Sequence, residues 1–423
     1  MFQRFLFLAL VVVLLAAFPT QADSTWSAWV YDSPSGQLWR VTDTATPPTA
    51  LALPVEADAV LSADLLVAPD GSLIAYTVTY AGARSVQFFD TAQAWITATY
   101  TPSIMVTRDS FDSAGSAEQF SEDGTRFAYA YQSAAGAWRI DVIDTQNGGL
   151  VASLDSVNSG LAAADVPLIF DLNGSRVLFN LLNANGAWIG YAWDVNASAV
   201  TPTGMNLHAD YDVFRSTGDL IMPGDLTTAA VSAAPTNALL VYQPLSGQVY
   251  PFYTERDARL HAPRFIQNGE RIVVCVDLAD GRETLHVIER DGETVGELPA
   301  SIPSRSIFGT PDGLIYMRDG ELWFAETRGA LNAGRPLFRL PASARIADVA
   351  TSADQYGPYE RWANLSPNMP VLPTAAPPPA TNPAALGDVT LDMGALADLG
   401  VRAAAPPLAP TPRAVVTLPP PGG

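Results

Sequence analysis

The side chains able to do chemistry in this sequence are few. Three histidines (His208, His261, His286), a single cysteine (Cys275) and no lysine stand among 423 residues. Without lysine there is no amine to form a Schiff base. No G-x-S-x-G string occurs, so the hydrolase nucleophile elbow is missing, and neither H-E-x-x-H nor C-x-x-C supplies a common zinc signature. Cys275, inside Val273-Val274-Cys275-Val276, reads as a small buried hydrophobe, because a reactive thiol needs an electropositive, partly exposed setting. The closest carboxylate pairs are Asp109 with Asp112 and Asp210 with Asp212. No cofactor is expected beyond a Ca2+ ion that such pairs could hold, and neither pair follows the ~12-residue EF-hand loop. Ser121-Glu122-Asp123-Gly124-Thr125 looks like a sialidase Asp-box short of one residue and reads as turn chemistry. Six polar residues, Asp64, Asp112, Asp165, Asp210, His261 and Arg305, share a place: each lies five to twelve residues before a turn glycine. What they could do depends on the elements that hold them.

Those elements repeat. A short apolar strand, a polar turn with Gly, a second apolar strand, a Gly-containing loop and a third strand recur, several followed by a fourth. The turn glycines Gly71, Gly124, Gly174, Gly218, Gly269 and Gly313 are spaced by 53, 50, 44, 51 and 44 residues. Asp-Gly and Asn-Gly turns accept the positive φ that tight hairpins require. The runs at 126–131 and 271–277 are too short, and too rich in β-branched and aromatic residues, for helices. Four strands at this pitch match one blade of a β-propeller, about 40–50 residues each. In the second repeat the first strand is expected at 119–121, directly before its turn. At the N-terminal end, 27–32, 37–42 and 49–53 read as second, third and fourth strands with no first, and a lone strand at 345–350 can complete them. The expected fold is therefore all-β, a seven-bladed β-propeller with a composite closing blade; six blades with a ragged N-terminus is the alternative.

The turn pattern is clearest in Ala68-Pro69-Asp70-Gly71-Ser72, Ser121-Glu122-Asp123-Gly124-Thr125 and Thr310-Pro311-Asp312-Gly313. It resembles the TolB-like, or WD40-like Pro-Asp, repeat family of propellers, over residues 26 to about 355. The motif proline and aspartate are missing at Thr217-Gly218 and Asn173-Gly174. The resemblance implies the propeller fold but no single ligand, since the family spans periplasmic envelope factors, peptidase propeller domains and proteins of unassigned role.

In a propeller the first strand of each blade lines the central channel, and the loop leading into it comes from the outer edge of the blade before. Such loops converge on one face, and Asp64, Asp112, Asp165, Asp210, His261 and Arg305 fall in them. A concave funnel with convergent polar groups is the default ligand site. Its acidity would favour a cation, an amine or a basic peptide. His286, in mid-strand, reads as a surface or inter-blade side chain. Trp39, Trp138, Trp188 and Trp323, near the starts of third strands, read as inter-blade packing, with aromatic platforms for sugars as the other reading.

Charge and the chain ends narrow the function further. The 23 arginines face 43 acidic residues, a net charge of −20, so neither nucleic acid nor anionic lipid is an expected partner. Arg4, an apolar run from Phe5 to Phe18 and Thr20-Gln21-Ala22 read as a cleaved signal peptide over residues 1–22. The run is shorter than the ~20 residues a membrane span needs, and no transmembrane segment is expected after cleavage. Residues 23–362 are assigned to the propeller and 363–423 to a Pro-rich disordered tail, because 14 of 34 prolines lie beyond 366 with no aromatic residue among them. A single cysteine leaves no intramolecular disulfide. The expectation is an exported, non-catalytic scaffold, a monomer, that binds an envelope or extracellular protein, peptide or glycan at the funnel. It would be periplasmic, cell-wall-associated or secreted. The rival is a propeller-type glycan hydrolase or lyase with His261 or His208 as base and an Asp pair as acid or metal site.

Overall fold

Strands here are short because turns bound them, and with one exception each pairs with strands next to it or one removed in sequence. In the computed structural model, residues 26–351 are described apart from stretches at 43–47, 56–57, 113–118, 134–135, 187, 204–210, 215–217, 226–229, 232–236, 244–247, 300–306 and 328–333. The segments assigned to the signal peptide (1–22) and the tail (363–423) lie outside the described residues, as do His208, Asp210 and Arg305. Seven antiparallel sheets stand as the blades of a β-propeller. Blade 2 shows the order: inner strand Val60–Val67, then Leu73–Tyr80, Ala83–Asp90 and the outer strand Trp95–Tyr100. The inner strands of blades 3 to 7 are Val106–Asp109, Leu168–Asn173, Asp212–Phe214, Ala258–Ile266 and Ile307–Gly309. Blade 5 carries an additional short strand, Ala230–Val231, against its second strand, Asp219–Asp225.

The exception is blade 1. Its inner strand is Arg345–Thr351, and the other three, Trp26–Asp32, Gln37–Val41 and Thr49–Ala52, come from the opposite end of the described chain. Trp26 pairs with Thr351 and Tyr31 with Arg345. Seven blades with a composite closure are thus formed, which removes the two free sheet edges that an open array would expose.

Seven buried apolar clusters fill the seven gaps between blades, so the strands are apolar on both faces rather than alternating. In the second strand of blade 6, Ile272, Val274 and Val276 pack towards blade 5 while Val273 and Cys275 pack towards blade 7. The gap between blades 2 and 3 is the most aromatic: Phe88, Phe120 and Phe127 meet edge to face, and Phe111 stacks on Phe127 at 6.0 Å. Trp138, Trp323 and Trp39, near the starts of third strands, behave as packing groups. Trp138 is buried and donates its indole N–H to the Leu161 carbonyl at 2.9 Å, across to blade 4. Trp323 stacks on Tyr316, and Trp39 leans on Phe338.

Two local expectations change. In blade 3 the inner strand is Val106–Asp109, not 119–121. Pairing to the second strand runs from Val106 opposite Ser133 to Asp109 opposite Tyr131, breaks, and resumes with Phe120 opposite Phe127. The chain leaves the sheet after Ser110, whose amide still donates to Ala130, and returns at Gln119, whose carbonyl accepts from Ala128. The motif before Gly124 is therefore the rejoining end of an interrupted strand. In blade 7 the turn glycine does not serve φ. Gly71 has φ +74, and the other turn glycines share the sign, but Gly313 does not. Its Cβ would fall 2.0 Å from the Ala325 carbonyl oxygen, so there glycine allows the close approach of a neighbouring strand.

Inner strands also carry pairing irregularities. The pairing register shifts between Leu61 and Leu65 in blade 2, Ile169 and Asp171 in blade 4, and His261 and Arg264 in blade 6. Bulges of this kind re-aim side chains, and they sit where strands leave the mouth of the channel.

Candidate functional site

Each inner strand starts at the end of the propeller where the inter-blade linkers arrive and finishes at the end where the turn glycines lie. The mouth is the linker end. Asp64 lies in the inner strand of blade 2, and its carboxylate meets Arg345, the first residue of blade 1's inner strand, at 2.8 Å. Asp112 follows the inner strand of blade 3 and meets Arg84, from the third strand of blade 2, at 2.6 Å. Asp165 precedes the inner strand of blade 4 and meets Arg108, from the inner strand of blade 3, at 2.7 Å. These three predicted carboxylates share one arrangement, each bound to an arginine of the preceding blade. The mouth therefore alternates in sign around this sector rather than presenting bare acid.

Behind Asp112 lies a buried charge. Asp109 is fully buried; its carboxylate accepts from the Tyr129 hydroxyl at 2.7 Å and from Arg84 at 2.9 Å, and its other oxygen accepts from the Phe111 amide at 2.9 Å. Burial pushes the Asp109 carboxyl up, with Arg84 and Tyr129 pulling the other way. For Arg84, burial works to lower the guanidinium, and the Asp112 and Asp109 carboxylates outweigh it, holding it above its ordinary range. The pair singled out as a calcium candidate thus shares one guanidinium. Asp123 accepts from the Ser121 hydroxyl and the Thr125 amide, so the Asp-box look-alike is a self-bonded turn.

Further out between the same blades, Asp141 collects Tyr131 at 2.6 Å, Arg139 at 2.7 Å and the hydroxyl of Tyr100, from blade 2's outer strand. Burial and then Asp141 raise both tyrosines. His286 occupies the comparable position of blade 6, buried, with its Nδ1 3.0 Å from the hydroxyl of Tyr253 in blade 5. It is an inter-blade side chain.

His261 is arranged differently. Its ring lies in the inner strand of blade 6 at the bulge, where Ala262 adopts φ +48. Nε2 is 3.2 Å from an oxygen of Asp277 and 3.8 Å from one of Glu283. Both carboxylates belong to His261's own blade, at the end of its second strand, Arg271–Leu278, and the start of its third, Glu283–Glu289. Of the six predicted mouth residues, Asp64, Asp112, Asp165 and His261 are thus placed, each with different neighbours. Asp210 and Arg305 fall outside the described residues.

The residues missed from sequence are the arginines. Arg345, Arg84 and Arg108 complete the mouth, and Arg264 ties three blades, donating to the carbonyls of Ile307 and Tyr211 at 3.0 Å each from the inner strand of blade 6. Asp348 and Asp212 are similar ties: they accept from the Val67 and Phe265 amides of the next blade at 3.3 and 2.6 Å. In a chain without lysine every side-chain cation other than histidine is an arginine, but these arginines sit a blade away from their carboxylates, so no local pattern marked the pairs.

No family model and no curated relative matches this chain. Solved structures do. TolB from Acinetobacter baumannii is 14% identical, covering 69% of this chain and 67% of its own, with a TM-score of 0.40. BamB from Moraxella catarrhalis is 13% identical, covering 72% and 80%, with a TM-score of 0.36. An acylaminoacyl peptidase is 12% identical over 74% of this chain, with a TM-score of 0.49, and this chain spans half (50%) of that peptidase. TolB is thus among the solved structures this chain is similar to, as the turn motif implied. The likeness is one of fold and assigns no residue a role; the strand pairing by itself makes the chain a seven-bladed β-propeller.

Proposed function

We propose that this protein is an exported, non-catalytic binding scaffold that holds a protein, peptide or glycan at the mouth of its channel. The observation that carries the reading is the run of arginine–carboxylate pairs Asp64–Arg345, Asp112–Arg84 and Arg108–Asp165, partly exposed and set across successive blade boundaries at the mouth. Inner strands locked by seven buried inter-blade clusters hold such a surface rigid, and rigidity lowers the ordering cost of binding. Alternating charge suits a ligand that offers donors and acceptors together, as a peptide backbone or a glycan does, better than a polyanion. Export rests on the apolar leader before Asp23, and a single copy is taken as the working form. Among the described residues no helix is long and apolar enough to cross a membrane.

The test uses the full chain as bait in envelope extract beside a variant carrying Asp64→Asn, Arg108→Gln and Asp165→Asn. A partner held by the unaltered chain and lost by the folded variant supports the mouth as the binding face. Equal capture by both overturns it, and a glycan shortened during incubation would replace the scaffold with the hydrolase or lyase.

A further inference from the structure

Alternation along three paired strands of blade 6 puts four metal-ligating groups on one face of one sheet. His261 stands opposite Cys275, Cys275 opposite Leu285, and Asp277 opposite Glu283. Cys275 and Leu285 both pack towards blade 7, so His261, Asp277 and Glu283 share that face, at the mouth end of the gap between blades 6 and 7. One ligand atom each from His261, Cys275 and Glu283 lie within 4.8 Å of one another. Two donors bound at ~2.0–2.3 Å in a tetrahedron stand roughly 3.3–3.8 Å apart. The contacts of the His261 ring with Asp277 and Glu283, 3.2 and 3.8 Å, already have that size.

We propose that blade 6 holds a divalent transition-metal site, of the Zn2+ class, with His261, Cys275 and Glu283 as ligands and Asp277 within reach as the fourth. The donor set argues for that class. Imidazole and thiolate prefer a borderline ion such as Zn2+ over Ca2+ or Mg2+, whose ligands are oxygens. Among the described ion pairs neither Asp277 nor Glu283 is matched with an arginine of another blade, in contrast to Asp64, Asp112 and Asp165. Access fits as well: Cys275 is buried at the floor, His261 is 13% exposed and Glu283 29% exposed, so an ion enters from the mouth and meets the thiol last. Binding releases the thiol proton to solvent, leaving thiolate, neutral imidazole and carboxylate around the dication. The site stands on blade 6 alone and does not depend on the ligand proposed for the mouth.

The experiment is metal content and cobalt spectroscopy on the full chain. After chelator treatment the protein is titrated with Zn2+ and, separately, with Co2+. The expected result is one equivalent bound, a thiolate-to-cobalt charge-transfer band in the near ultraviolet, and visible bands of tetrahedral intensity. Cys275→Ser should abolish the charge-transfer band. His261→Gln and Glu283→Gln should each weaken Zn2+ by at least the ~10–100-fold that follows from losing even an outer partner of a ligand. Glu283 is partly exposed, so Glu283→Gln reads the site even if Cys275→Ser fails to fold. A cobalt spectrum without the thiolate band, or Zn2+ affinity unchanged in folded Glu283→Gln and His261→Gln, overturns the proposal.

Discussion

Two sectors of the mouth occupy equivalent places in the repeat and spend their charges differently. Across the boundaries of blades 1 to 4 each carboxylate meets an arginine from the blade before, so the pair fixes one blade against the next. In blade 6 the carboxylates meet the histidine of their own sheet, and the contact fixes nothing between blades. Polar ties between blades there come instead from Arg264, which donates to carbonyls of both neighbouring blades, and from Asp212, which accepts from the Phe265 amide. The same topological position can therefore serve as a staple or as a donor set, depending on whether its partner lies across a boundary or across a strand.

The comparison breaks most visibly at Arg84. Arg84→Met should leave the fully buried Asp109 carboxylate without its cation and cost about 3–5 kcal/mol, read as a lower urea midpoint at unchanged slope. Adding Asp109→Asn should recover part of the loss, whereas a cost below about 1 kcal/mol for Arg84→Met would mean that the staple is no more than a surface pair. Next in size is the Asp141 cluster. Tyr131→Phe removes one of its hydroxyl donors and should cost about 1–3 kcal/mol by the same measurement.

Alkaline titration compares the boundaries in another way. Burial pushes Tyr31, Tyr242 and Tyr253 up to about 12. In the unfolded chain phenols ionise near about 10. Between those values the unfolded chain releases protons that the folded chain keeps, so the tyrosines leave stability intact below about pH 10 and diminish it as pH rises towards 12. Urea midpoints against pH should fall in that window, and Tyr253→Phe should make the fall shallower. The smallest effect belongs to the exposed staples. Arg108→Gln or Arg345→Gln should change stability by less than about 1 kcal/mol, and less again in high salt. A larger effect, persisting in salt, would move these pairs into the class of Arg84.

The fold was legible because the repeat carries its own punctuation. Asp70-Gly71 and Asn268-Gly269 each mark a hairpin, and the orphaned strands at 27–32 and 345–350 called for each other. Blade 3 was harder. Ser121-Glu122-Asp123-Gly124 forms a sound turn whether the strand before it is whole or interrupted, so the excursion after Asp109 left no trace in the motif. The mouth was half legible. Asp64 and Asp165 could be placed by topology, but their partners Arg345 and Arg108 come from other blades, and no local pattern announces such a pair. The blade 6 site was hidden by its bulge. From Ile266 opposite Arg271 an unbroken register would set His261 opposite Val276, on the face turned to blade 5; the shift before Arg264 brings it to Cys275 instead. One residue of slippage decides whether those donors meet.

Blade 1 carries a consequence for how this propeller can be tethered. Its inner strand runs from Arg345 at the mouth to Thr351 at the far end, and Trp26 pairs with Thr351. Gly71, in the turn of blade 2, lies beside both Ala350 and Ser27, which puts the two ends of the described chain together among the hairpin turns. Trp26 and Thr351 thus share that pole. A label or linker placed at Trp26 or at Thr351 would therefore sit on the side opposite the channel opening.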